Sequence, residues 1–346
     1  MLDVYVNKIK VNYLSAEVSR SIESFCGAFS FDLKVGIDCK RNDEVDIFSN
    51  YERVMTGIIE DISNPREKEN FSIRISGRDR TGVLIDSYMK PRQYRQKNFN
   101  ALIRAVLQDN NYNFKIIQDV PVLKLIDKIE DGGSEKIFDF LDSYAKKAQV
   151  LLLTNENGNI VITREGGELA TNTLIDSNIL NSTLSVDSSE KYKYIDVYGS
   201  LKTEYNSKRT SQRASIINNL ATGNKRVIIR VDSNSSYKSL QSLANWYKNV
   251  KEAKGARYEC VVSGHYQKGS LFEENLWKPN SIVNLIDDAR NISGTFLIQG
   301  VKYRTTIEGN YTDLSIVNLG SFGLPPLNTL LSKLITAGNN LGKAFS

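Results

Sequence analysis

The fold class is decided by residues 271–322, which read LFEENLWKPNSIVNLIDDARNISGTFLIQGVKYRTTIEGNYTDLSIVNLGSF. A bulky segment at 276–280 leads into a strand from Ser281 to Ile286, and three further short strands follow an acidic turn. Gly300 is predicted to break one strand from the next, and residues 308–310 are predicted to close a hairpin. Alternating apolar residues between turn signals indicate half-buried antiparallel strands. The stretch therefore predicts a small barrel or sandwich, and no catalytic spacing interrupts it.

Composition places the chain among ordinary folded proteins. It has 346 residues, of which 40% are hydrophobic and 25% charged, so two or three domains are expected. The net charge of +5, from 45 basic and 40 acidic side chains, is too small for a dedicated nucleic-acid binder. Three widely spaced cysteines, Cys26, Cys39 and Cys260, predict buried thiols in a reducing compartment and no disulfide framework.

The first half of the chain divides into two predicted parts. Residues 1–92 read as a first β-barrel domain of alternating strands and turns. Residues 93–165 read as an α/β module with a helix from about Asn98 to Asn110 and a second helix opening at Ser134. A hairpin over residues 150–163, turning at an Asn-Gly pair, completes the module.

The second half is predicted to be a second β-barrel domain over residues 166–325, with an inserted loop and helix at about 200–254. The polar, basic stretch Ser200–Gly223 lacks apolar periodicity and is interpreted as a long mobile loop. A third helix is expected from about Ser236 to Ala253. Residues 326–346 are expected to form a C-terminal helical tail that docks on its own domain or on a neighbouring subunit.

Two basic segments have alternative interpretations. The run Lys90, Arg92, Arg95 and Lys97 would suit phosphate contact or, more simply, a solvated linker. The helix around Trp246 and its lysines resembles a stacking platform for nucleic acid, but it is also compatible with a surface helix that has an aromatic edge in the core. The modest net charge favours the structural interpretation in both cases.

Residue types needed for catalysis are missing or badly spaced. The single histidine, His265, excludes two-histidine zinc sites, and no nucleophile-elbow pattern accompanies it. The acid pairs Glu273-Glu274 and Asp287-Asp288 consist of neighbours, which point to opposite faces of a strand. The sequence therefore predicts no catalytic, cofactor-binding or metal-binding residues, and a protein that is not an enzyme.

Several stretches, taken in order, resemble the baseplate hub family of contractile-tailed phages, specifically the Mu-like hub. The pattern is also similar to the hub part of type VI secretion spike proteins and to phage late control D proteins. An acid-rich segment, Lys124–Asp142, departs from the pattern. The stretches that carry the resemblance are VSRSIES (18–24), IFDFLDSYAKKAQVLLLTNENGNIVITR (137–164), ILNSTLSVDSSEKYKYIDVYGS (179–200) and NLWKPN (275–280).

The resemblance implies a mainly β fold with α+β parts, in which two related antiparallel barrels resemble the tail-tube fold. It further implies a homotrimeric structural protein whose ring joins a sixfold tail tube to a threefold central spike and forms part of the DNA channel. The implied partners are the tube or tube-initiator protein, the spike, other baseplate wedge proteins and DNA in transit during ejection. The implied location is the virion baseplate, assembled in the bacterial host cytoplasm, with no cofactor and no membrane insertion by this chain.

Two functions from other classes remain open at this point. A tail-associated peptidoglycan hydrolase would need a further domain with an acid-bearing cleft. A DNA-binding module using the Trp246 helix and the Ser200–Gly223 stretch would show a steeply salt-dependent affinity for DNA.

Overall fold

A computed structural model of the chain describes residues 1–34, 38–64, 72–121, 126–131, 135–187, 189–203, 206–221, 223–267 and 275–322. Within them the fold is mainly β with smaller α+β parts, as the sequence predicts. The predicted C-terminal helix over 326–346 and the pair Glu273-Glu274 lie outside these residues.

The first barrel consists of seven antiparallel strands. Their inward side chains alternate with outward polar ones; in the strand that begins at Leu2, for example, every second residue is buried. These strands are β1 (Leu2–Val6), β2 (Ile9–Val11), β3 (Ser15–Ser21), β4 (Ala28–Leu33), β5 (Glu44–Ser49), β6 (Glu52–Ser63) and β7 (Ile73–Asp79).

The α/β module follows a short 3-10 turn at Arg80–Gly82 and has a core of its own. Asn98 caps its first long helix by accepting a hydrogen bond from the Ala101 backbone N–H at 2.8 Å. The predicted hairpin is confirmed, but the predicted basic linker is wrong, because a strand starting at Arg92 pairs within the module. The elements are α1 (Val83–Asp86), β8 (Arg92–Lys97), α2 (Phe99–Asp109), β9 (Ile116–Gln118), β10 (Ile126–Asp131), α3 (Ile137–Ala148), β11 (Leu151–Thr154) and β12 (Ile160–Thr163).

A smaller sheet-and-helix module is inserted into the second barrel. The expectation of a mobile loop over Ser200–Gly223 is wrong, since most of this stretch forms a long antiparallel hairpin. Alternate residues of its second strand, Ala214 and Ile216, pack against a helix, a period that the serines and arginines of the same strand hide in the sequence. Two barrel strands precede the module: the elements are β13 (Glu168–Leu174), β14 (Ile179–Val186), β15 (Tyr194–Thr203), β16 (Asn206–Ile217), β17 (Arg226–Asn234) and α4 (Tyr237–Gly255).

The remaining strands complete the second barrel. The prediction that Gly300 separates two strands is wrong. One strand of 15 residues runs through Gly300 and only shifts its register there. The hairpin at Glu308-Gly309 is confirmed by the pairing of Thr306 with Gly309. These strands are β18 (Ala256–Ser263), β19 (Ser281–Asp287), β20 (Ile292–Thr306) and β21 (Gly309–Asn318).

The two barrels are joined into one sheet. The end of β20 pairs antiparallel with β3, so strands follow in the order β14-β18-β21-β20-β3-β4-β7-β6-β5-β1-β2. A single hydrophobic core lies beneath both barrels and includes Leu2 and Phe31 of the first and Tyr258, Trp277 and Tyr303 of the second. Strands of the two similar barrels therefore form one continuous sheet over a common core.

None of the helices in the described ranges has the length and hydrophobicity needed to cross a membrane.

Candidate assembly surfaces

The two barrels repeat one local arrangement around their long strands, β6 and β20. Asn42 and Asn280 both take a left-handed backbone conformation, with φ of 73° and 67°. Each donates its backbone N–H at 2.9 Å, Asn42 to the Ile59 carbonyl and Asn280 to the Ile298 carbonyl. Directly after those isoleucines both strands shift register against the next strand of their hairpin. The structural equivalence of Ile59 and Ile298 follows from these shared features.

Beyond this point the two long strands differ in what lies beside them. In β20, the Gln299 carbonyl accepts a hydrogen bond from the Ile22 N–H at 2.8 Å, and pairing with β3 continues to Thr305. The corresponding end of β6, Glu60–Ser63, pairs with β7 on one side, and no described strand pairs with its other side. Its outer backbone groups form an open edge in the described part of the chain.

The strand β14 supplies a second open edge at the far end of the same sheet. It pairs with β18 on one side, and no strand of the described ranges lies on the other. Leu180 and Val186 on this strand are 57% and 48% exposed. Its sequence, ILNSTLSV, has neither lysine nor proline, the residues that commonly protect an exposed strand edge from pairing. The strand is therefore suited to pair with another chain.

Small polar side chains cover the face of this sheet that points away from the core. A groove of about 530 Å³ runs over β14, β18, β21, β20 and β3 on this side. It contains no large aromatic side chain among its lining residues. The small polar residues of the lining are Ser19, Ser21, Ser24, Asn181, Thr183 and Ser315.

Charged groups on the polar face are arranged in pairs. Lys302 lies 2.8 Å from Glu17 across the seam between the barrels, and Arg304 lies 2.6 Å from Asp313 on the neighbouring strand. Each pair is partly exposed, so it adds little to stability. Its main effect is to cancel local charge, so neither pair leaves an uncompensated positive charge of the kind that binds phosphate.

The inserted module presents a different surface on the side of its sheet away from α4. Asp196 lies at the centre, accepting hydrogen bonds from Ser215 at 2.6 Å and from Arg213 at 2.9 Å, while Arg226 lies 2.7 Å away. The Ser215 hydroxyl and then the arginines hold the pKa of this carboxyl below its usual range. Tyr194 lies under the Arg226 guanidinium at 5.0 Å. This network orders the sheet face, whereas the sequence predicted a mobile loop over Ser200–Gly223.

A buried carboxylate fixes the point where the chain leaves the second barrel. Glu165, 1% exposed, accepts backbone hydrogen bonds from Gly320 at 2.5 Å and from Phe322 at 2.8 Å. Burial raises the pKa of Glu165 to about 7, although these hydrogen bonds act in the opposite direction. Next to it, Asn280 accepts from the Gly166 N–H at 2.9 Å and donates to the Arg164 carbonyl at 2.8 Å.

The histidine and the aspartate considered in the sequence analysis are buried and hydrogen-bonded within the second barrel. His265 is 2% exposed between the hydroxyls of Thr305 and Thr312, and burial lowers its pKa to about 4. Asp287 is buried and accepts a hydrogen bond from the Tyr258 hydroxyl at 2.8 Å.

The Trp246 ring does not form an open stacking platform. It is half-buried, with the Lys146 ammonium 5.1 Å from its centre. The three cysteines are free thiols; Cys26 and Cys260 are buried as predicted, and Cys39 is half-buried. In the described ranges no group of three or more His, Cys, Asp or Glu side chains is arranged to hold a metal ion.

Sequence comparison identifies a related protein. The chain is 21% identical over 295 residues to the baseplate hub protein gp44 of Escherichia phage Mu, covering 80% of this chain and 76% of that protein. The chain is a homologue of the Mu baseplate hub protein. No family model matches the sequence.

Solved structures agree with the homology to the Mu hub at the level of fold. The 43 kDa tail protein of prophage MuSo2 from Shewanella oneidensis superposes with a TM-score of 0.82 at 19% identity, covering 93% of this chain and 99% of that one. The E. coli c3393 protein, described as a component of the type VI secretion system, superposes with a TM-score of 0.59 at 10% identity over 93% of this chain and 79% of its own. The resemblance to hub and spike-related proteins is thereby confirmed.

Proposed function

We propose that this chain is the structural hub subunit of a contractile phage baseplate or a related injection system. Three copies form a ring that joins the tail tube to the central spike. The observation that carries the proposal is the pair of open edges, β14 and the end of β6, which bound a run of eight consecutive strands in one sheet. Since each chain holds two similar barrels, three chains present six similar units to a sixfold tube while keeping threefold symmetry for a spike.

The geometry of the sheet supports a channel through this ring. Eight strands, β14-β18-β21-β20-β3-β4-β7-β6, lie between the two open edges, so three copies with eight strands each would close a barrel of 24 strands. With strands about 4.8 Å apart and tilted by roughly 40°, such a barrel measures roughly 45 to 50 Å between opposite backbones. A DNA duplex fits within that width.

The chemistry of the polar face suits the wall of such a channel. With the core on one side of the sheet, the face with the 530 Å³ groove is the side available to line the lumen. Its serines and threonines are small, and its lysine and arginine charges are offset by nearby carboxylates such as Glu17 and Asp313. A wall of this kind lets DNA pass without holding it, because phosphate binding depends on uncompensated positive charge. The role is structural rather than catalytic.

The solution mass of the purified chain tests the ring. Light scattering over a dilution series is expected to give a mass near three times 39.0 kDa that persists on dilution. Negative-stain images are expected to show a ring with a central opening. A chain that stays at 39.0 kDa at every concentration contradicts a stable trimer.

A DNA-binding measurement on the same samples separates the hub from a DNA-binding module. The hub is expected to bind duplex DNA weakly, with little change between low and physiological salt. Tight binding that falls steeply with salt would contradict the hub and support the module.

A further inference from the structure

We infer that β14 of one copy pairs antiparallel with the end of β6 in the next copy, in the same register as the seam between β3 and β20 within one chain. The inference rests on the proposed ring and adds which strands meet and which residues face each other. It places Ile62 of one copy opposite Val186 of its neighbour.

The register follows from the repeat. The bulge places Asp61 opposite Ser76 in the first barrel and Gly300 opposite Ser315 in the second, so Ile62 corresponds to Val301. The same ladders, followed one strand at a time, relate β3 to β14. In the first barrel, Ser76 on β7 pairs with Ser30 on β4, which pairs with Glu17 on β3. In the second barrel, Ser315 on β21 pairs with Glu259 on β18, which pairs with Thr183 on β14.

Glu17 therefore corresponds to Thr183, and Arg20, three residues later, corresponds to Val186. In the seam within the chain, Val301 pairs with Arg20. The equivalent contact between copies pairs Ile62 with Val186. Directly opposed residues in an antiparallel pair point to the same face, so both side chains would lie on the core side of the joined sheet.

Exposure at these positions supports the pairing. Val186 is 48% exposed, and Ile62 is half-buried at the margin of the common core. In the seam within the chain, Arg20 donates to the Thr154 carbonyl at 2.6 Å and lies 3.8 Å from Glu156 of the α/β module. Val186 has an apolar side chain at the corresponding place, which suits burial against Ile62 of another copy.

A cysteine pair tests the register directly. The double variant Ile62→Cys/Val186→Cys, oxidised mildly, is expected to give disulfide-linked dimers and trimers on a non-reducing gel, because directly opposed Cβ atoms are within disulfide reach. Each single variant reports cross-linking through the native Cys26, Cys39 and Cys260. The pair Ile62→Cys/Leu180→Cys controls for exposure, since Leu180 lies on the same strand but six residues away and is expected not to cross-link.

The seam within the chain provides the matched positive control. Arg20→Cys/Val301→Cys opposes two cysteines in one chain and is expected to form an intramolecular disulfide under the same conditions, read by mass spectrometry of the linked peptides. Circular dichroism of every variant checks that the fold is kept.

The outcomes separate this inference from the proposed ring. A trimeric mass without linkage of the Ile62→Cys/Val186→Cys pair, while the positive control does link, overturns the strand pairing and leaves the ring intact. Linkage of that pair within a single chain also overturns it. A monomeric mass without linkage overturns both the pairing and the ring.

Discussion

The first and second barrels share a layout but use their long strands differently. Both β6 and β20 shift register after accepting one backbone hydrogen bond from a left-handed asparagine, yet only β20 then continues beside another strand of the same chain. The end of β6 follows the same register shift, but in the described residues no strand lies on its outer side. This difference is the basis of the proposed contact between chains, for which the seam within the chain is the template.

The two barrels also contribute different chemistry to their common core. The first is filled by apolar side chains such as Phe31 and Met55. The second also buries polar side chains. The Tyr303 hydroxyl donates a hydrogen bond to the Trp277 carbonyl, and the His265 ring lies between the hydroxyls of two threonines. Because buried polar groups must keep their partners, the second barrel is expected to be more sensitive to substitution.

The largest expected effect is at the strand ends that follow the two bulges. Tyr303 is 2% exposed and lies edge-on to His265, whereas Asn64, its equivalent in the first barrel, is exposed. Tyr303→Ala is expected to lower the free energy of unfolding by about 3 to 5 kcal/mol, and Asn64→Ala by less than about 0.5 kcal/mol. Urea unfolding of the two variants measures the contrast, and equal losses would remove it.

Acid is expected to affect the second barrel through His265. Its pKa of about 4 is below that of an exposed histidine, so the unfolded chain takes up a proton first as the pH falls. The stability from the neutral imidazole is present above about pH 6.5 and is lost progressively towards pH 4, by at most roughly 3 kcal/mol.

Unfolding free energies of the wild type and His265→Gln between pH 7 and pH 4.5 measure this loss. The variant is expected to show the flatter profile. Parallel profiles would mean that His265 does not contribute to the acid sensitivity of this barrel.

A smaller difference is expected at the two left-handed asparagines. Replacement by glycine keeps the backbone conformation and removes only the side chain. Asn280→Gly is expected to cost about 1 to 3 kcal/mol, since it breaks the two hydrogen bonds to residues 164 and 166. Asn42→Gly should be nearly neutral. Thermal unfolding compares them, and a larger loss at Asn42 would contradict the assigned roles.

The smallest expected effect concerns association. The register that pairs Ile62 with Val186 also brings Asp61 of one copy opposite Asp187 of the next, and like charges directly opposed on strands weaken pairing. Asp61→Asn is expected to tighten association several-fold at low salt and less at high salt. Sedimentation equilibrium measures the change. Weaker association in the variant would argue against this register.

Much of the fold could be predicted from the sequence because alternation is a local signal. The hairpin over residues 150–163 and the strand through Ser281 were predicted correctly for that reason. The loop over Ser200–Gly223 was predicted wrongly because serine and arginine on one face of β16 obscure the apolar residues on the other. Gly300 looked like a strand end, but it accommodates a bulge.

The assembly surfaces were harder to predict than the elements. Which strand edge stays open depends on the pairing of β3 with β20, two strands separated by most of the chain. A local signal did exist in retrospect: an asparagine precedes each of β5 and β19 at a similar distance, at Asn42 and Asn280. Two short matches of this kind do not reveal a repeat without the backbone conformation.

The Glu165 carboxylate determines how the protein would respond to mechanical force. The backbone N–H groups of Gly320 and Phe322, which follow the last barrel strand, both donate hydrogen bonds to it. A pull on the C-terminal segment would therefore act first on these two hydrogen bonds and on the junction held by Asn280. The strand β21 ends at Asn318 and would be loaded only after these bonds break. The buried carboxylate of Glu165 thus protects the last barrel strand from a force that acts on the C-terminal segment.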